Sequence, residues 1–190
     1  VCGCGVLEDV DDNDGDGTLN CSDGCPSDNN KNQPGVCGCG VLEGVCGNPN
    51  KNGLLGTYFS DTTLTTRRFA RVDRPVSFDW LDGSCGPFIS GPPFSIRWTG
   101  FVQADSSDTY TFTTVTDDGV NLWVNEVQLI ADWTSHGALE QSGAIALQAG
   151  QRYSIRMEYY NGGGPGSAQL LWSNSVVAKQ VIAETALFYE

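Results

Sequence analysis

The chain has 190 residues, with 23 acidic side chains against 10 basic ones and a formal net charge of −13. That balance argues against a nucleic-acid partner, whose phosphates are held by Lys and Arg. No window of about 18 apolar residues exists, so no membrane insertion is expected, and the length suits one ordinary domain with a small extra module.

The first element is a repeat. "VCGCGVLE" at residues 1–8 returns at 36–43, and no Met or signal peptide opens the chain. The expectation is a piece of a longer secreted protein. Seven of the eight cysteines fall before residue 47. That density suits disulfides in an oxidising compartment. Zinc is the rival, but the segment has no His, its spacings are not C-x2-C and hard carboxylates dominate. Seven cysteines cannot pair among themselves. If all eight are oxidised within the chain, one bond reaches Cys85, and Cys46, beside the module boundary, is its expected partner. A truncated repeat would instead leave Cys2 or Cys4 to pair upstream.

Residues 1–47 carry Gly, Asp, Asn and Cys and almost no large apolar side chains. Such a segment cannot offset its chain entropy by burial and needs disulfides, metal or both. "DVDDNDGDG" crowds five aspartates into nine residues. With Asp12 as position one, Asp14, Asp16, Gly17, Thr18, Asn20 and Asp23 fall at positions three, five, six, seven, nine and twelve. This is the spacing of an EF-hand-type calcium loop, in which alternate residues point oxygens at a hard dication and Gly permits the turn. The flanks are not helical, so neither an EF-hand nor a dockerin is expected. Asn20 also opens an "NCS" glycosylation sequon, which a ligand role would exclude. Asp28, Asn30 and Asn32 are candidates for a second ion. "DxDxDGxxNCxDxC" followed by "CPxDxNKNQPG" resembles a thrombospondin type 3 repeat, which implies a calcium-wrapped, disulfide-stapled spacer over residues 1–47.

From residue 48 to 190 the composition changes. Runs rich in Val, Ile, Thr, Tyr, Phe and Trp predict strands at 94–104, 108–116, 120–125, 143–149, 152–160 and 168–173. In the fifth, Tyr153, Ile155, Met157 and Tyr159 share one face and Ser154, Arg156 and Glu158 the other. No stretch has a convincing 3.6-residue period. The fold class is therefore all-β: an antiparallel sandwich or barrel behind a small irregular module held by disulfides and calcium. Trp98, Trp123 and Trp172 read as core or sheet-face residues, and Trp80 has no assignment.

By itself, Asp117-Asp118-Gly119 reads as a hairpin turn. The ordered motifs "GLLGTYFSD", "IRWTGFVQA", "DTYTFTTVTDDGVNLWVN", "ADWTSHG" and "RYSIRMEYYNGGGPGSAQLLWS" say more. Together they resemble the protective-antigen (PA-14) domain, a β-sandwich module of glycosidases, toxins and microbial adhesins. In sugar-binding members two adjacent aspartates, joined by a cis peptide, hold a calcium ion that coordinates sugar hydroxyls. The resemblance implies that Asp117 and Asp118 take this role, with the side chain of Asn161 and the carbonyls of Gly163 and Pro165 completing the site. The Gly-rich loop departs from the bulkier loops of yeast adhesins.

Trp133, His136 and Tyr160 are candidate sugar contacts, Trp133 because aromatic faces receive C–H bonds. No catalytic set stands out. The carboxylates of a glycosidase face each other across about 5 Å or more, whereas adjacent aspartates share an ion. The expected function is a calcium-dependent, lectin-like carbohydrate-binding module of an extracellular bacterial protein, with glycans or polysaccharide as partners and no enzymatic activity. The alternative is a structural stalk or fibre module that self-associates and binds no free sugar.

Overall fold

A computed structural model describes residues 12–18, 23, 25–33, 39, 50–86 and 88–190. From residue 50 onward the chain forms β1 (Leu54–Phe59), β2 (Arg67–Asp73), β3 (Ser77–Trp80), β4 (Phe94–Gln103), β5 (Asp108–Asp117) and β6 (Val120–Val124). These are followed by β7 (Val127–Asp132), β8 (Leu139–Leu147), β9 (Arg152–Asn161), β10 (Gly166–Ser173), β11 (Gln180–Val181) and β12 (Leu187–Phe188). They build the expected antiparallel sandwich. One sheet runs β2-β1-β4-β9-β6-β7, with β12 also on β4; the other runs β11-β10-β5-β8, with β3 on β10.

Alternation along the strands fills the space between the sheets. On β9, Ile155, Met157 and Tyr159 are buried and Tyr153 packs against the same core, as the sequence period predicts. Trp98 is fully buried and Trp172 nearly so, while Trp123 lies on a sheet face under the Arg156 guanidinium, 4.0 Å from the ring centre. Trp80 is a core residue, stacked on Phe78 and Tyr159 with ring centres 5.1 and 5.4 Å apart. One charge lies deep beside this cluster. The Asp73 carboxylate accepts hydrogen bonds from Tyr58 Oη (2.6 Å), Trp98 Nε1 (2.7 Å) and Arg71 Nε (2.7 Å). A buried carboxylate is tolerated only when paired and hydrogen-bonded in this way. Burial first, and then the Asp73 charge, push the Tyr58 hydroxyl far above its ordinary pKa.

The sequence period does not reveal β1, β2, β3 or β7. The β6–β7 hairpin turns through Asn125 and Glu126, both at positive φ (50° and 63°), with no glycine to announce it. The chain enters and leaves at one place: Gly53 N donates to the Leu187 carbonyl (2.9 Å) and Tyr189 N to the Lys51 carbonyl (3.0 Å).

In the N-terminal module a disulfide joins Cys25 and Cys39. The expected Cys46–Cys85 bond is not formed, since Cys85 is a free thiol with 3% exposure. It is sealed into the sandwich core, and the neighbouring Gly86 lies so close to Phe69 that a Cβ there would come within 2.4 Å of the ring. Cys46, Cys2, Cys4 and Asn20 lie outside the described residues. The module touches the sandwich where Arg67 Nη2 donates to Asn30 Oδ1.

Candidate functional site

Three connections cross from one sheet to the other at the same end of the sandwich. Residues 118–119 carry the chain from β5 to β6, 133–138 from β7 to β8, and 162–165 from β9 to β10. The two aspartates therefore do not sit in a hairpin, because β5 and β6 belong to different sheets. The Asp117–Asp118 peptide is cis. Gly119 is required by close approach: a Cβ there would meet the Tyr160 ring at 2.6 Å and the carbonyls of Asp132 and Thr134 at 2.9 Å.

Asp118, only 5% exposed, ties the three crossings together. Its Oδ1 accepts from Ser135 Oγ (2.7 Å) and His136 N (3.0 Å), and its Oδ2 accepts from Gly162 N (2.9 Å). Asn161 is fully buried; it donates from Nδ2 to the Gly164 carbonyl (3.0 Å) and accepts at Oδ1 from Gly163 N (2.8 Å). Asp117 is anchored through its carbonyl, which accepts from the Tyr159 hydroxyl. Thus Asp117, Asp118, Asn161 and Gly163 meet at one place, with Pro165 in the same crossing.

The local charge suits a cation. Burial first, and the neighbouring Asp118 second, raise the Asp117 pKa, with His136 acting in the opposite direction. Two adjacent carboxylates offer hard oxygen donors of the kind calcium takes.

A second acidic group lies in the N-terminal loop, where carboxylate oxygens of Asp12, Asp14 and Asp16 fall within 4.8 Å of one another. Asp12 accepts from Gly15 N (2.8 Å) and Gly17 N (2.9 Å), and both glycines adopt positive φ. Thr18 N donates to Asp16 and Cys25 N to Asp23, both at 2.7 Å. The Oδ2 atoms of Asp14, Asp16 and Asp23 are buried without a hydrogen-bond partner. Orphaned buried oxygens on Asp14 and Asp16, beside Asp12, fit a hard dication, while Asp23 falls outside that close group. Asp28 instead accepts from Asn30 N and Nδ2, and the Asn30 side-chain oxygen Oδ1 accepts from Arg67.

Trp133 is partly exposed and packs against Tyr160, with ring centres 4.9 Å apart and planes at 48°. Tyr160 is 9% exposed, so Trp133 presents the larger free face. His136 meets Asp118 through its backbone N–H, while its ring lies 3.4 Å from Asp132 and 2.8 Å from the Gly137 carbonyl. Sequence reasoning missed Ser135, Tyr159 and Asp132, the last of which accepts from Thr134 and Gln141. Ser135 and Tyr159 act through contacts across 17 and 42 residues of chain that no spacing rule encodes.

A family model described as the PA14 domain matches residues 50–186. The chain belongs to the PA14 domain family. The chain is 43% identical over 137 residues to the anti-sigma-I factor RsgI3 of Acetivibrio thermocellus, covering 72% of this chain and 21% of that protein. The chain thus spans about a fifth of that relative's length. A solved structure of an anti-sigma factor domain-containing protein superposes with a TM-score of 0.72 at 42% identity, covering 74% of this chain and 48% of that one. The PA14 sugar-binding domain from an RTX adhesin shares the fold, with a TM-score of 0.62 at 15% identity, over 73% of this chain and 99% of that one. Among the described residues, no helix is long and apolar enough to cross a membrane.

Proposed function

We propose that this PA14 domain is a calcium-dependent carbohydrate-binding module of an extracellular bacterial protein, carried behind a thrombospondin type 3-like calcium-binding spacer at residues 1–47. The observation that carries the reading is the buried Asp118 beside Asp117, where three inter-sheet crossings meet. Asp117, Asp118, Asn161 and the Gly163 and Pro165 carbonyls would hold the ion, whose chemistry is to exchange bound water for vicinal sugar hydroxyls. Asp117 and Asp118 accept hydrogen bonds from the same hydroxyls, and Trp133 offers an apolar face to the ring. The RTX adhesin relative, described as sugar-binding, supports the class of ligand. In the spacer, Asp12, Asp14, Asp16, Thr18, Asn20 and Asp23 would wrap one ion. The role is binding rather than catalysis, since both carboxylates serve one ion.

A second reading comes from the 43% identity to an anti-sigma-I factor. In a longer protein of that kind, the same module would report glycan occupancy to a regulatory domain. The test of the shared premise is a glycan and polysaccharide array probed with calcium and again with EDTA. Calcium-dependent hits support the module. Silence in both runs from folded, calcium-loaded protein would remove the carbohydrate reading and favour a structural stalk.

A further inference from the structure

The end of the sandwich that carries the aspartates is broader than one sugar ring. Four strands of the second sheet reach it side by side, in the order β3-β10-β5-β8. Their register sets Trp80 against Gly166, Asp117 against Ser167 and Thr116 against Leu139. Neighbouring strands lie roughly 4.8 Å apart, so β3 and β8 are separated by about 14 Å with the aspartates between them.

An apolar side chain stands in solvent at each flank. Leu81 is 76% exposed and Leu139 42%. Leu81 follows the last residue of β3, in a turn closed by Gly83 N donating to the Trp80 carbonyl (2.9 Å). Trp80 packs inward on Tyr159, and Leu81 points outward. The turn is seated against the β9–β10 crossing, because a Cβ on Gly83 would lie 3.2 Å from the Gly164 carbonyl oxygen. Pro92 packs on the inner side of this turn, where a Cβ on Gly83 would meet its Cδ at 2.9 Å, and beyond it the rim toward the aspartates is glycine. No atom comes within 4 Å of a Cβ built on Gly163 or Gly164, and neither residue has a side chain to wall the site. A pocket for a chain terminus needs such a wall; a polymer passing through needs its absence.

We infer that the site is an open trough along the end of the second sheet that takes an internal stretch of a glycan chain. One sugar is held at Asp117 and Asp118, and Leu81 and Leu139 contact the rings on either side of it. Each leucine exchanges water for the C–H face of a sugar, which recovers hydrophobic free energy that folding leaves unused. The inference rests on the carbohydrate-binding reading above.

The test is calorimetric titration in calcium with cello-, xylo-, manno- and galacto-oligosaccharides, from the single sugar to the hexasaccharide. For the series that binds, affinity should rise about tenfold or more from the single sugar to the trisaccharide. Leu81→Ser and Leu139→Ser should each weaken hexasaccharide binding by about tenfold and leave single-sugar binding unchanged. Affinity independent of chain length, or serine variants that bind the hexasaccharide as the wild type does, would overturn the trough and leave the carbohydrate reading standing. Failure of all four series and of the array would overturn both.

Discussion

Replacing Asp118 by alanine takes away the acceptor on which three crossings meet. The carboxylate receives one hydroxyl and two backbone N–H groups, at 2.7 to 3.0 Å. A hydrogen bond to a charged group contributes about 1.5–3 kcal/mol net. The Ser135 hydroxyl can turn to water, so the loss falls mainly on the N–H groups of His136 and Gly162. The expected destabilisation is about 3 kcal/mol. With a urea slope of about 2 kcal/mol/M for a domain of this size, the unfolding midpoint should fall by about 1.5 M. The measurement belongs in EDTA, so that an ion bound to the native state adds nothing to the wild type. Asp118→Asn is the control: its amide can present oxygen to one side only, which leaves one N–H facing an NH2 group and costs about half as much. If Asp118→Ala unfolded within about 0.5 kcal/mol of the wild type in EDTA, the three bonds would not be holding the crossings, and the account of the site would fail.

Three further outcomes are expected. Calcium removal should raise amide exchange and protease cleavage across Asp12–Asp23, where buried carboxylate oxygens lack partners, and leave β4 and β9 protected; equal protection with and without calcium would count against an ion in that loop. Burial pushes the Cys85 thiol up to about 12, so at pH 8 only about one part in ten thousand is thiolate. Iodoacetamide should therefore spare Cys85 in native protein and label it fully in unreduced denaturant, whereas a disulfide to Cys46 would block labelling in both. Burial and Asp118 raise the Asp117 pKa, so without calcium the folded state binds this proton more tightly than the unfolded state does. Stability in EDTA should then fall as pH rises from the ordinary carboxylate range through the raised value, and Asp117→Asn should flatten that step; an unchanged step would assign it elsewhere.

Six strands were legible because their apolar residues alternate over long runs, as Ile155, Met157 and Tyr159 do on β9. The period is weaker in β2, where "RRFARVD" opens with two exposed or half-exposed arginines, and in β7, where only Ile130 is buried. Asp117, Asp118 and Asn161 were legible as a motif. Ser135 and the Tyr159 hydroxyl were not, because they reach the aspartates across 17 and 42 residues of chain. Cys85 misled because parity counts sulfurs without asking what surrounds them; here Phe69 and the core close the loop before a partner can approach.

The pairing along β4 gives the domain two poles. Phe94 lies opposite Asn161 beside the aspartates, and Val102 lies opposite Leu187, where the chain's entry and exit meet. Eight residues at about 3.3 Å each place about 26 Å between them. The domain is gripped at its base and reaches out with its tip. Tension applied between Lys51 and Tyr189 would cross only the few bonds at that base, so the pole that carries Asp117 and Asp118 lies off the line of force.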